Sequence, residues 1–336
     1  MSGTLDGKLR VSGKAFVTGA SGFIGRRVRD ALLDAGVDVV AIRRAGSPEP
    51  RRGRSAVVDY ADAAAVRELV AHERPDYVVH VAGATKGVTL DDFRRANVMP
   101  TEHLARALAE AHPGVKRFVH VSSLTSYGPS SKARHHREGD PRRPIEFYGM
   151  SKLEAEQAVE ALGERIPWTI LRPGGVYGPG DADYFELFKS VERGMNVFFG
   201  NKDRLFSAVF VDDLVRAIDL AATAEATRGK GYFVSDGAPV SWGEFQRHIV
   251  EASGRRVVTI DLPEFLVGVA ATFGELATKI DKKPRLFNRQ KAKMGAEEAW
   301  TCHADALAAD AAFAATVLVP EGVRRTLAWY RAERWV

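Results

Sequence analysis

From residue 15 onward, short continuous apolar runs alternate with longer stretches whose apolar positions return every three or four residues. The first pattern is that of a strand buried on both faces. The second is that of an amphipathic helix. This reading predicts strands at 15–18, 37–42, 55–59, 76–83, 115–123 and 168–173. Between them it predicts helices at 24–36, 61–73, 93–111 and 146–163, the third with a break at Pro100. Strands and helices joined by short links specify an α/β fold, a doubly wound parallel sheet with helices on both faces. Ligands of such sheets bind beyond the carboxyl ends of the strands. The residues that follow each strand are therefore the candidates for function.

Past residue 180 the alternation weakens. FVDDLVRAIDLAA (210–222) predicts one more helix on the sheet, with Asp212 and Asp213 capping its start. The expected division is a dinucleotide-binding domain over 1–180, with 206–236 returning to it. Residues 181–205 and 237–336 then form a smaller, mostly helical domain that covers the strand ends.

The first strand runs into the first helix through AFVTGASGFIG. Gly19, Gly22 and Gly25 let the backbone turn tightly and approach a pyrophosphate. Ser21, Phe23 and Ile24 complete the loop. The helix start beyond it offers free N–H groups and a positive dipole end. Such a loop between strand and helix predicts a Rossmann-type dinucleotide site. Its G-x-x-G-x-x-G spacing departs from the commoner G-x-G-x-x-G. VTGASGFIG, VVHVAG, VSSLTSYG, YGMSK, LRPGGVYGPG and FVDDL then follow in order over residues 17–214. On these motifs the chain resembles the extended short-chain dehydrogenase/reductase family, which includes NAD-dependent epimerases and dehydratases. HVAGATKG, SAVFVDDL and TLAWYR are similar to the branch of dihydroflavonol reductases, 3β-hydroxysteroid dehydrogenases and bacterial reductases of lipid-like ketones.

The second strand ends in AIRRAGS. A carboxylate there would accept the ribose hydroxyls of NAD. Arg43 and Arg44 stand there instead, and guanidinium groups bind a 2′-phosphate. NADP(H) is therefore the expected cofactor, with NAD(H) the alternative. The resemblance puts Asp59, beside Tyr60, against the adenine amino group. It lines the cofactor floor with Val81, Ala82 and Gly83, and the nicotinamide end with Pro173, Gly174, Gly175 and Val176. Thr85, Gly174 and Tyr177 are expected near the substrate, with Tyr177 at its entrance.

Tyr148 and Lys152 lie four apart on one helix face. A phenol of ordinary pKa near ~10 is a poor base at neutral pH. A neighbouring ammonium stabilises the phenolate, so the pair suits general acid–base work at a carbonyl. The resemblance aligns Ser123 with the family's hydroxyl that holds the substrate oxygen. It aligns Asn97 with a helix asparagine that organises a proton relay to Lys152. Ser122 is expected to point to the other side of the strand.

Composition narrows the partners. The chain carries a net charge of +5, and its basic runs, 51–54 and 132–137, lack interleaved aromatics, which argues against nucleic acid. No apolar run is long enough to span a membrane. The polar start and single cysteine, Cys302, predict a reduced, cytoplasmic setting. Cys302–His303 lacks ligand-spaced companions, so no metal is expected. The resemblance implies a homodimer and a small-molecule substrate. Dehydratases of the family need an acid soon after the catalytic hydroxyl, whereas Leu124 and Thr125 stand here. Ketone reduction or epimerisation remains, with a non-catalytic NADPH-binding protein the minor alternative, against which Tyr148 and Lys152 both stand. Phe265, Val269, Phe273, Leu276 and Ile280 recur at helical spacing within 262–280. They form either ordinary packing or a greasy wall for a hydrophobic substrate, entered from a membrane surface. Arg204, Lys282, Lys283, Arg285 and Arg289 keep a nucleotide-sugar substrate open.

Overall fold

The computed structural model describes residues 8–263 and 289–336. The apolar stripe expected through residue 280 and the basic cluster at 282–285 fall outside them. Strands β1 (Lys14–Thr18), β2 (Asp38–Arg43), β3 (Arg54–Val57), β4 (Tyr77–His80), β5 (Arg117–Val121) and β6 (Trp168–Pro173) form where continuous apolar runs predict them. β11 (Lys230–Val234) joins them in one sheet of order β11-β6-β5-β4-β1-β2-β3. Every neighbouring pair is parallel. From β1 the chain winds outward through β2 and β3, then crosses back to β4 on the other side. The helices therefore leave on opposite faces and open a crevice between the ends of β1 and β4, where ligands of such sheets bind.

Helices α1 (Phe23–Asp34) and α7 (Val211–Thr223) cover one face through Val28, Leu32, Leu214 and Ile218. Helices α2 (Ala63–Glu73), α4 (Met99–Ala111) and α5 (Phe147–Glu160) cover the other through Val66, Val70, Leu108 and Val159. The helix Asp305–Ala311 packs on the sheet layer. Leu307 and Ala311, one turn apart, bury themselves in the α1–α7 layer, as does Phe313. Local periodicity shows that this segment has an apolar face but not which layer receives it.

The carboxylates of FVDDL also differ from expectation. No side chain caps α7. Asp212 pairs with Arg27 of α1, while buried Asp213 accepts the N–H groups of Thr316 and Val317 at 3.0 and 2.9 Å. They tie α1 and the C-terminal segment to the sheet.

The break expected at Pro100 falls one turn earlier. After the short helix α3 (Leu90–Phe93), residues Arg94–Val98 form a π-turn, in which Met99 N–H bonds Arg94 O. Pro100 offers no N–H to the preceding turn, so the helix widens there. Asn97 lies in this turn.

The smaller unit contains α6 (Phe185–Glu192), α8 (Trp242–Ser253) and the helix Val319–Ala332. These helices close over Phe188, Phe206, Phe245 and Tyr330. Short strands brace them: β8 (Met195–Phe199) pairs with β13 (Val258–Leu262), and β9 (Leu205–Phe206) lies between β12 (Val240–Ser241) and β14 (Ala299–Trp300).

Candidate active site

A cleft of about 1090 Å³ runs from the ends of β1 and β2 across β4 and β5 to the smaller unit. Gly19, Ser21, Gly22, Phe23, Ile24 and Gly25 form one end. A Cβ on Gly25 would sit 2.2 Å from Gly19 O, so the loop closes only around a glycine. Gly22 caps α1 without a side-chain bond, and no acidic residue stands in the first turn. The helix thus presents its N–H groups and positive end to the cleft. An elongated cleft with an uncapped helix start at one end fits a nicotinamide dinucleotide, whose pyrophosphate these groups would hold.

Arg43, Arg44, Asp59 and Tyr60 line the same end. Arg43 is partly engaged: Nε donates to Ser55 Oγ and Nη1 to Ser47 O, both at 3.2 Å. Arg44 is exposed, and its guanidinium makes no hydrogen bond or ion pair among the described residues. Asp59 is exposed as well, and its Oδ1 accepts Ala61 N–H at 2.9 Å. Val81, Ala82, Gly83 and Thr85 continue the floor beyond β4, and Pro173, Gly174, Gly175 and Val176 close the opposite side beyond β6.

Ser123 and Tyr148 meet midway along the cleft. Ser123 follows β5 and starts a single 3₁₀ turn, Leu124–Ser126. Its Oγ accepts from Thr125 N at 3.2 Å and from Thr125 Oγ1 at 3.0 Å, which leaves its own proton for another acceptor. Helix α5 begins at Glu146, whose carboxylate accepts the N–H groups of Tyr148 and Gly149 at 2.7 and 2.5 Å. That cap fixes the first turn, and with it Tyr148. Burial raises the Tyr148 pKa to about 12, against an opposing hydrogen bond from Ser123.

Lys152 is buried one turn further along, and its Nζ donates to Val121 O at 2.7 Å. Burial lowers its pKa to about 8, with the charge of Glu156 opposing. The tuning expected from the Tyr–Lys spacing is therefore not made by the protein alone. Desolvation pushes the phenol up, and the lysine is turned to the end of β5. Ser122 also borders the cleft, but its hydroxyl donates to buried Glu156. Burial alone would raise Glu156, but Arg172 and the bonds from Ser122 and Ser126 hold it below the usual carboxylate range.

Residues 15–234 match the NAD dependent epimerase/dehydratase family. The chain belongs to that family. It is an NAD(P)-dependent enzyme of the extended short-chain dehydrogenase/reductase type. A 3-beta-hydroxysteroid dehydrogenase of Mycolicibacterium neoaurum is 30% identical over 76% of this chain and 74% of its own length. A ceramide reductase of Caulobacter vibrioides is 26% identical over 96% of both chains. A dTDP-6-deoxy-L-talose 4-dehydrogenase of Kitasatospora kifunensis is 38% identical, but the match spans only 49% of this chain and 52% of that one. Among solved structures, a UDP-glucose 4-epimerase of Thermotoga maritima superimposes with a TM-score of 0.79, over 96% of this chain and 99% of that one. At 22% identity it shows the fold alone.

Two of the family positions make contacts that the motifs do not reveal. Asn97 is buried, and its amide is spent on Ala84 N, Ala84 O and Ser151 Oγ. It buckles the loop after β4 to α5, and Lys152 is not among its hydrogen-bond partners. Tyr177 does not reach the substrate entrance. On β7 (Gly175–Tyr177) it is fully buried against Phe210 and Phe245. Val176 faces the cleft, and strand alternation turns Tyr177 to the opposite face, into the core of the smaller unit.

The far wall of the cleft was not read from the motifs. Tyr184, Leu187, Leu205, Trp242, Met294 and Trp300 line it, with Arg204 among them. Trp242 stacks on Phe206 at 4.4 Å. One signal was available: Ser241 and Glu244 form a capping box, which marks Trp242 as the first residue of a helix. At the mouth, Lys86 reaches across to Asp183 at 3.5 Å. Among the described residues no helix is long and apolar enough to cross a membrane.

Proposed function

We propose that the protein is an NADP(H)-dependent oxidoreductase that interconverts a ketone and a secondary alcohol on a hydrophobic, lipid-like substrate. The observation that carries this reading is the aromatic and aliphatic wall beyond Ser123 and Tyr148, formed by Tyr184, Leu187, Trp242, Met294 and Trp300. A nicotinamide cofactor bound in the cleft would supply or accept the hydride. Ser123, whose oxygen already receives Thr125, turns its proton to the substrate oxygen. Tyr148 moves a proton to or from the same atom. Buried Lys152 ties helix α5 to the end of β5, one turn beyond Tyr148. The ceramide reductase and hydroxysteroid dehydrogenase relatives, whose names imply lipid-like substrates, support the same substrate class. Leu124 and Thr125 put no carboxylate next to Ser123, which disfavours dehydration.

A nucleotide-sugar substrate is the second reading. Arg204 in the cleft wall favours it, as does the dTDP-sugar relative. One panel separates the two. Cofactor turnover and product formation by the pure protein are followed with long-chain and polycyclic ketones against UDP- and dTDP-sugars, because epimerisation returns the hydride and leaves no net cofactor change. Turnover of the ketones alone supports the proposal, and turnover of the sugars alone replaces it. Tyr148→Phe should lower the observed turnover by roughly 10²–10⁴ while cofactor binding persists.

A further inference from the structure

The segment Val81–Ala84 forms the cleft floor where the sheet order reverses, and side chains from two elements hold its backbone. Thr18 Oγ1, at the end of β1, accepts the N–H groups of Val81 and Ala82 at 3.1 and 3.0 Å. Asn97 Oδ1 accepts Ala84 N–H at 2.7 Å. Buried His80 joins these two anchors. Its Nδ1 lies 2.8 Å from Thr18 Oγ1, and its Nε2 lies 2.9 Å from Thr101 Oγ1. Thr101 Oγ1 in turn donates to Asn97 O at 2.6 Å.

The direction of each bond follows by elimination. The one proton of Thr101 goes to Asn97 O, so its oxygen must receive Nε2–H. The neutral ring then offers Nδ1 as an acceptor. Thr18 gives its proton to Nδ1 and keeps its lone pairs for the two amides. Burial lowers the His80 pKa to about 3, so the ring stays neutral. His120, on the neighbouring strand, stacks against it at 5.5 Å and 24° and fixes its plane.

We propose that His80 is a positioning residue, locked as the Nε2–H tautomer, which couples Thr18 to the Asn97 turn and so holds the Val81–Ala84 backbone in the shape that cofactor and substrate meet. The inference is independent of which ketone or sugar is turned over. A histidine of merely structural value would fill the space between β4 and α4 without setting the floor.

Thr101→Val tests it with little change of volume, alongside His80→Phe and Thr101→Ser. Amide exchange at Val81, Ala82 and Ala84 is measured in the cofactor-free protein, together with cofactor Kd, kcat, KM and the thermal midpoint. Loss of one neutral bond should change exchange at these amides, and cofactor Kd or kcat, by about fivefold to tenfold. Thr101→Ser, which keeps the hydroxyl, should restore them. In the His80→Phe background, Thr101→Val should add little, because both break the same chain. A fall in thermal midpoint with exchange, Kd, kcat and KM all within about twofold of wild type overturns the proposal. So does full additivity of the two substitutions. If His80→Phe does not fold, the Thr101 pair decides alone.

Discussion

Gly149 meets Thr125 backbone to backbone: a Cβ on Gly149 would lie 2.4 Å from Thr125 O. This approach lets the first turn of α5 rest on the turn Leu124–Ser126, and it brings Tyr148 to Ser123. The glycine inside YGMSK is therefore a spacer set by packing. Gly149→Ala should force α5 off that turn. We expect a loss of roughly 1–3 kcal/mol of stability and a larger loss of kcat, since a small misplacement separates the two hydroxyls. Denaturant unfolding and steady-state kinetics on one preparation check both. Wild-type kcat in a stably folded variant would show that the approach does not set the site.

The winding of the sheet and the glycine loop were legible because both are local. Apolar runs fixed β1 to β6, and a strand–glycine–helix order has few other uses. Ser123 and Tyr148 were legible for the same reason, since each sits at a fixed offset from an element end. Tyr177 was misplaced because a strand only three residues long gives no alternation to read. Asn97 was placed correctly in the chain, but its partners come from Ala84 and Ser151, which sequence spacing does not bring together. The substrate wall joins residues as distant as Tyr184 and Trp300, so no single window contains it.

Arg44 should decide between the two nicotinamide cofactors more than Arg43 does. Both line the cleft, but Arg43 already donates to Ser47 O and Ser55 Oγ. Arg44→Asp removes an unengaged cation and adds a carboxylate that repels phosphate. A charge-assisted hydrogen bond is worth about 1.5–3 kcal/mol, so NADPH affinity should fall about tenfold or more relative to NADH. Fluorescence titration of both cofactors into wild type and each arginine variant measures this. Equal affinities in the wild type would end the NADP assignment.

Trp242 and Trp300 offer a direct check of the apolar wall. Trp242→Ala removes a ring that stacks on Phe206 and faces the cleft. For a hydrophobic ketone, KM should rise severalfold with cofactor Kd unchanged, because the ring lies at the substrate end. The effect should grow with the apolar area of the ketone, at ~25 cal/mol per Å² buried. A uniform fall in kcat across short and long ketones would instead mean that the wall only supports the fold.

Lys152→Met should trade activity for stability, and pH shows which group is responsible. Burial lowers the Lys152 pKa from the ordinary 10.5 to about 8. The unfolded chain keeps the proton up to its ordinary value, whereas the folded chain releases it near 8. Between these values unfolding takes up a proton, so stability contributed by this group rises with pH. Below about 8 both states hold the proton, and the whole penalty of burying the charge is present. At 1.36 kcal/mol per pKa unit that penalty is roughly 3 kcal/mol, and the lost bond to Val121 O offsets about 1 kcal/mol of it. Lys152→Met should therefore be more stable than wild type at pH 7, with the advantage shrinking as pH rises through 8 toward 10.5. Its turnover should be largely lost, because the ammonium one turn from Tyr148 is gone. In the wild type, kcat/KM should fall as pH rises through about 8 and the ammonium deprotonates. Thermal melts from pH 6 to 10 and a pH–rate profile test both halves. A variant less stable than wild type at pH 7, or a gain that does not change with pH, would mean that Lys152 is not charged in the folded protein.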